Sequence, residues 1–128
     1  MPFEILLGIP EVSSFWNDLD SRFDSGKLTG KEEILLKKLA KAFSLLSENP
    51  KHNSLASHEI KALSEKFGLK VWQSYLENKT PAAGRIFWAY GPDKGQITIL
   101  AIEAHPEQKH KSYVRIKLSA FPAKSKKK

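Results

Sequence analysis

Cysteine is absent from the 128 residues, which excludes a disulfide framework, a cysteine-ligated zinc and a thiol nucleophile. Long apolar runs are absent too. None approaches the ~18 residues that a membrane helix needs, so the chain is not expected to span a bilayer. Met1 to Pro10 has no basic segment ahead of its short apolar stretch and no small-residue cleavage site. No secretory leader is therefore expected, and the cytoplasm is the expected compartment. There is no glycine-rich phosphate loop, since Gly84, Gly91 and Gly95 suit the start of a strand and a turn, and no Gly-x-Ser-x-Gly elbow of the serine-hydrolase kind. Histidine is scarce: His52, His58, His105 and His110 are all there are. Pro106 denies His105 a helical context, and no pair of carboxylates stands at helical spacing to the histidines, so neither a metal site nor a cofactor is expected.

What is present is a chain that is 41% apolar, with three Trp, three Tyr and seven Phe. That suffices for one domain with a core of its own. The domain is read as residues 1–122, followed by a basic tail, 123–128, expected to be disordered. Charge is distributed unevenly. Residues 1–104 hold 13 basic and 13 acidic side chains, whereas 105–128 hold eight basic ones against Glu107 alone, and so supply the whole net charge of +7. A cationic end on a neutral body attracts polyanions, nucleic acid first and anionic membrane second. Lys124, Lys126, Lys127 and Lys128 fit a solubilising tail equally well. Lys109, Lys111, Arg115 and Lys117 lie inside a patterned segment and fit it less well.

Spacing sets the expected elements. Phe3 to Leu7 reads as a strand stopped by Gly8 and Pro10. Val12, Phe15, Trp16, Leu19 and Phe23, spaced by three and four, mark a helix with one buried face that ends at Ser25-Gly26. Thr29-Gly30-Lys31-Glu32 has the form of a capping box opening a second helix, which Asn49-Pro50 stops. A short helical piece is expected over 59–67, ended by Gly68. Val71 to Tyr75, Arg85 to Tyr90 and Gln96 to Glu103 read as strands, the last two joined by the turn Gly91 to Gly95. Tyr113, Arg115 and Lys117 alternate with Val114, Ile116 and Leu118, which favours a last strand with a basic face over a terminal helix. The expectation is an α+β domain: an N-terminal strand and a helical hairpin packed on an antiparallel sheet of about four strands. One sheet face would then look outward, and any ring on it would form an apolar patch for a partner; Trp16 and Phe87 fit the core better than Tyr90 does.

The turn length pairs residues about position 93, so Arg85 is expected near Ile102 and Glu103, about two residues from His105. A guanidinium and an imidazole together suit phosphoryl transfer. The first stabilises a pentacoordinate phosphate and the second protonates the leaving oxygen, with the RNA 2′-hydroxyl as nucleophile and no metal needed. The chemistry requires both side chains to meet in one open, cationic hollow. An Arg that starts a strand fits equally a surface position or a pair with a carboxylate such as Glu103. Burial of either group against a carboxylate leaves only a small binding fold.

Arg85-Ile86-Phe87-Trp88-Ala89-Tyr90, a polar turn, then Ile97 to Glu107 resembles the core hairpin of the RelE/ParE superfamily of bacterial toxins, and the strand-helix-helix order upstream is similar to the family's. The resemblance implies a RelE-like fold. It also implies the toxin of a type II toxin–antitoxin pair, a ribosome-dependent, metal-independent mRNA endonuclease restrained by a cognate antitoxin. Its partners would be mRNA, the ribosome and, through the antitoxin complex, DNA. It further implies Arg85 as the transition-state cation, His105 as the group acting on the leaving oxygen or scissile phosphate, and Tyr113 as a stacking or proton-transfer aromatic. Lys61, Lys66, Lys70, Lys109, Lys111 and Arg115 are the implied RNA-binding residues. The chain departs from the ribonuclease pattern in carrying Gln73 and Ser74 where ionisable residues are frequent, and in the insertion 78–83, so its general base is open. The ParE side of the family implies the other reading: a non-catalytic toxin that binds DNA gyrase, or a weakened regulator.

Overall fold

The computed structural model describes residues 2–76, 84–104 and 116–122. Strand β1 (Glu4–Leu7) leads into helices α1 (Glu11–Asp24) and α2 (Gly30–Glu48), a 3-10 turn at Asn53–Leu55 and a two-residue strand, β2 (His58–Glu59). Helix α3 (Lys61–Phe67) then precedes strands β3 (Trp72–Tyr75), β4 (Arg85–Tyr90) and β5 (Gln96–Glu103). The five strands form one sheet in the order β1-β5-β4-β3-β2. The class is α+β, with the N-terminal strand and helical hairpin expected. The sheet is wider and mixed rather than all antiparallel, because β1 lies parallel beside β5 and β2 adds a short second edge.

Both sheet faces are covered, which corrects the expectation of an open outer face. On one, α1 and α2 pack Leu19, Leu39 and Leu46 against Ile86, Trp88, Ile97 and Ile99. On the other, α3 and the C-terminal segment bring Leu63, Leu118 and Phe121 to Phe87, Ala89 and Leu100. Phe87 and Trp88 are therefore core residues, and Tyr90 remains 44% exposed. A bulge makes this two-faced packing possible. Phe87 pairs with Ala101 while Trp88 pairs with Ile99, so Leu100 is the extra residue, and it resets which β5 side chains meet the helices.

Of the expected last strand, 113–118, only 116–118 is described, and it lies in no ladder; the described segment 116–122 makes a single bridge between Ile9 and Ala120 and one bond from Ser119 N–H to Leu100 O. The reason is that β1 already occupies the β5 edge as far as Ile99. Gly8 sits at this crossing, where a β-carbon would come within 2.5 Å of Ser119 Cβ and 2.7 Å of Ile99 O. The segment instead caps α1. Pro10 at the N-cap position provides no side-chain bond, and the Val12 N–H donates to Ser119 Oγ at 3.0 Å. Lys117 adds an ion pair to Glu11 at 3.3 Å. Ser119→Ala should lower stability by about 1 kcal/mol, the usual worth of a hydroxyl cap, read as an earlier urea midpoint with an unchanged slope.

The helical hairpin is fastened at its turn. Arg22 donates two bonds to Glu32, both at 2.8 Å, and Glu32 also closes the capping box with Thr29. The Arg22 guanidinium, then the Thr29 N–H, pull the Glu32 carboxyl down to about 2. In the unfolded chain Glu32 takes up its proton at higher pH. Its contribution is thus complete above about 4.5 and fades as pH falls towards about 2. Glu32→Gln keeps the box and should flatten the slope of stability against pH across that window, as measured by urea melts.

Candidate functional site

Polar side chains gather at one end of the sheet, on the face that α3 covers. Tyr75 pairs across to Arg85, and Arg85 pairs across to Glu103, the neighbour that the turn length predicts. Directly opposed residues in a ladder share a face. Gln73 and His58, paired with each other, stand in the next rank on that face because Gln73 and Tyr75 are two residues apart on β3. The result is a patch of five polar residues from four strands.

Its centre is an ion pair. The Arg85 guanidinium donates to the Glu103 carboxylate, and the two side chains are only 16% and 20% exposed. Gln73 Oε1 accepts from Arg85 at 3.5 Å, and the guanidinium carbon lies 5.8 Å from the Phe87 ring. A guanidinium bound to a carboxylate on a half-closed sheet end is neutralised. Phosphate reaches it only if the pair opens. The surroundings of Arg85 are thus those of the carboxylate-paired alternative rather than an open cationic hollow.

The other expected site residues divide into two groups. His105, Tyr113, Lys109, Lys111 and Arg115 lie outside the described residues, as do 123–128 and the insertion 78–83. Lys61, Lys66 and Lys70 are described and exposed. Five positions on one helix separate Lys61 from Lys66 by roughly 140° around the axis, so these two do not form one patch. Lys66 lies over the Phe67 ring at 5.2 Å. The described residues carry 13 basic and 12 acidic side chains, so the cationic excess resides in the segments beyond them. No group of three potential metal ligands occurs among the described residues.

Gln73 and Ser74 have structural work instead of ionisable chemistry. Ser74 points the opposite way from Gln73, into the helix-side core, and is fully buried. The Trp88 Nε1–H donates to Ser74 Oγ at 2.8 Å, Ser74 and Ser57 share a bond at 2.6 Å, and Ser57 donates to Pro50 O at 2.7 Å. A hydroxyl has one proton to give. Since Ser57 spends its proton on the carbonyl, Ser74 must donate to Ser57 and accept from Trp88. Each hydroxyl and the indole N–H of this Trp88–Ser74–Ser57–Pro50 relay thus has a partner.

His58 is a site residue that sequence reasoning passed over. Its Nδ1 lies 3.0 Å from Ala56 O; a carbonyl only accepts, so Nδ1 is the donor in this bond. The ring sits 6.4 Å from that of Tyr75. No local pattern announces this, because β2 has only two residues and exists through its pairing with β3. Beside the polar patch, Phe67, Leu69, Leu100, Leu118 and Phe121 line a groove of about 410 Å³. No helix among the described residues is long and apolar enough to cross a membrane. No family model, no curated protein and no solved structure matches the chain.

Proposed function

We propose that the chain is a toxin of RelE/ParE-like character that acts in the cytoplasm by gripping a protein target, DNA gyrase on the ParE precedent, and not by cutting RNA. The observation carrying this choice between the two toxin readings is the Arg85–Glu103 ion pair. RNA cleavage without metal needs a free cation at the phosphate, and the described guanidinium on the sheet is already matched by a carboxylate. A cognate antitoxin restrains the toxin, and the apolar groove between α3 and the C-terminal segment gives an antitoxin segment surface to cover.

The test is induced expression in a bacterial host, with mRNA integrity followed alongside growth, and a supercoiling assay with purified gyrase. Growth arrest with intact mRNA and blocked supercoiling is the expected result. Cleaved mRNA with normal supercoiling overturns it. In that event the ribonuclease reading stands, with Glu103 as the candidate general base and His105 as the candidate acid, and His105→Ala should abolish cleavage.

A further inference from the structure

The two edges of the sheet are built differently. The β2 edge is two residues long and polar, His58 and Glu59, a kind of edge that discourages a further strand. The β1 edge, Glu4-Ile5-Leu6-Leu7, is apolar and carries no lysine, proline or bulge to guard it. Along a strand, successive residues aim their backbone N–H and C=O to alternate sides. The Glu4 N–H donates to Gly95 O at 2.9 Å and the Gly8 N–H to Ile99 O at 2.8 Å. Glu4, Leu6 and Gly8 therefore face β5, and Phe3, Ile5, Leu7 and Ile9 face outward. The ends of this outer row are taken. Phe3 donates to Ser47 O at 2.8 Å and accepts from Ser47 Oγ at 2.7 Å, and Ile9 exchanges bonds of 3.0 and 2.7 Å with Ala120. Between them, Ile5 and Leu7 have no outward backbone partner among the described residues. Leu6 stands between these two open rungs. Its side chain lies on the face opposite to Ile5 and Leu7, is half-buried, and belongs to neither apolar cluster. Ile9, at the end of the row, is 42% exposed.

We infer that β1 pairs with β1 of a second copy of this chain, antiparallel, about a twofold axis at Leu6. The symmetry of the edge selects this occupant. The open rungs stand one residue either side of Leu6, and the closed positions, Phe3 and Ile9, stand three residues either side. Rotation about Leu6 sets Ile5 of one copy against Leu7 of the other, each such pair exchanging two hydrogen bonds, so one operation closes every open rung in both copies. The two Leu6 side chains then cover each other. No like charges are opposed, since Glu4 of one copy falls opposite Gly8 of the other. Beyond these positions the Ser47 and Ala120 contacts end the ladder, and two five-stranded sheets become one. So few rungs make a small interface, and the dimer is a weak one that forms with concentration. This inference does not rest on the proposed toxin activity, because β1 contributes no residue to the polar patch.

Sedimentation of the full chain over a concentration series, joined to oxidative crosslinking, tests it. The chain has no cysteine, so Leu6→Cys carries a single thiol. At the axis the two Leu6 residues form a non-hydrogen-bonded pair with Cα atoms about 4.5 Å apart, within the reach of a disulfide. Glu4→Cys is the control: two residues from the axis, its Cα lies roughly 13 Å from its counterpart at the strand rise, too far to bridge. Sedimentation should show monomer passing to dimer as concentration rises. In a glutathione redox buffer Leu6→Cys should give a covalent dimer, and Glu4→Cys at least about tenfold less of it. Leu6→Lys sets two ammonium groups face to face and should weaken dimerisation at least about tenfold, like charges directly opposite being destabilising, with circular dichroism reporting that the fold is kept. The cysteine pair decides the matter even where Leu6→Lys unfolds. A chain that stays monomeric at millimolar concentration leaves the edge to a strand of another protein and overturns the inference. Equal crosslinking of the two cysteine variants, or undiminished dimerisation of a folded Leu6→Lys, overturns it as well.

Discussion

Replacing Trp88 by alanine is expected to cost about 3–5 kcal/mol, the range for truncating a large buried aromatic, out of a total stability that for such domains is about 5–15 kcal/mol. The ring is fully buried, stacks on Trp72 at 5.7 Å and meets the edge of Tyr90 at 5.1 Å. Truncation would leave a void between sheet and hairpin and remove the donor that Ser74 accepts from. Trp88→Phe separates the two losses. It keeps most of the ring and removes the Nε1–H, and should cost about 1–2 kcal/mol, near the worth of one buried hydrogen bond and a small void. Ser74→Ala has the larger polar effect of the two, because it orphans the Trp88 Nε1–H and takes away the donor to Ser57, about 1–3 kcal/mol. In the double variant Trp88→Phe, Ser74→Ala the two costs should fall short of their sum, since no buried indole N–H is left unmet. Chemical denaturation followed by circular dichroism reads all four.

Elements built from local signals were legible in the sequence. The capping box at Thr29–Glu32 and the stop at Asn49 fix α2, and the five-residue turn sets the β4–β5 pairing closely enough to put Arg85 opposite Glu103. These depend on residues within a few positions of one another. What escaped depends on distant partners. Nothing in Glu4–Leu7 says that β1 will lie parallel to β5 some ninety residues on, and that choice denies the C-terminal segment a ladder. It turns Ser119 into a cap for α1 across a separation of 107 positions. The two-residue strand carrying His58 has no signature of its own. The same division holds at the site. The neighbour of Arg85 could be read from the turn, but whether that neighbour neutralises it depends on how far α3 and the C-terminal segment close the sheet end. The bulge at Leu100 belongs to this second class as well, because ordinary alternation along β5 conceals it.

Glu103→Ala is expected to destabilise the fold by about 2–3 kcal/mol, below the ~3–5 kcal/mol for breaking a fully buried ion pair, because the side chains retain 16% and 20% exposure. Arg85→Ala should cost a similar amount, by leaving the carboxylate without its cation. The double variant Arg85→Met, Glu103→Leu removes both charges and puts apolar volume in their place beside Phe87 and Ala101. It should return to within about 1 kcal/mol of the parent, since the desolvation of two charges disappears with their attraction. That recovery makes the pair a functional probe as well as a structural one. A toxin that grips its target through another surface keeps its growth arrest and gyrase inhibition in the double variant. A nuclease loses its activity there while staying folded, because the cation at the phosphate and the carboxylate beside it are both gone. Single substitutions cannot make this distinction: each loses stability, and loss of fold imitates loss of chemistry. The double variant, assayed for arrest at a temperature well below its melting point, divides the two readings on one measurement.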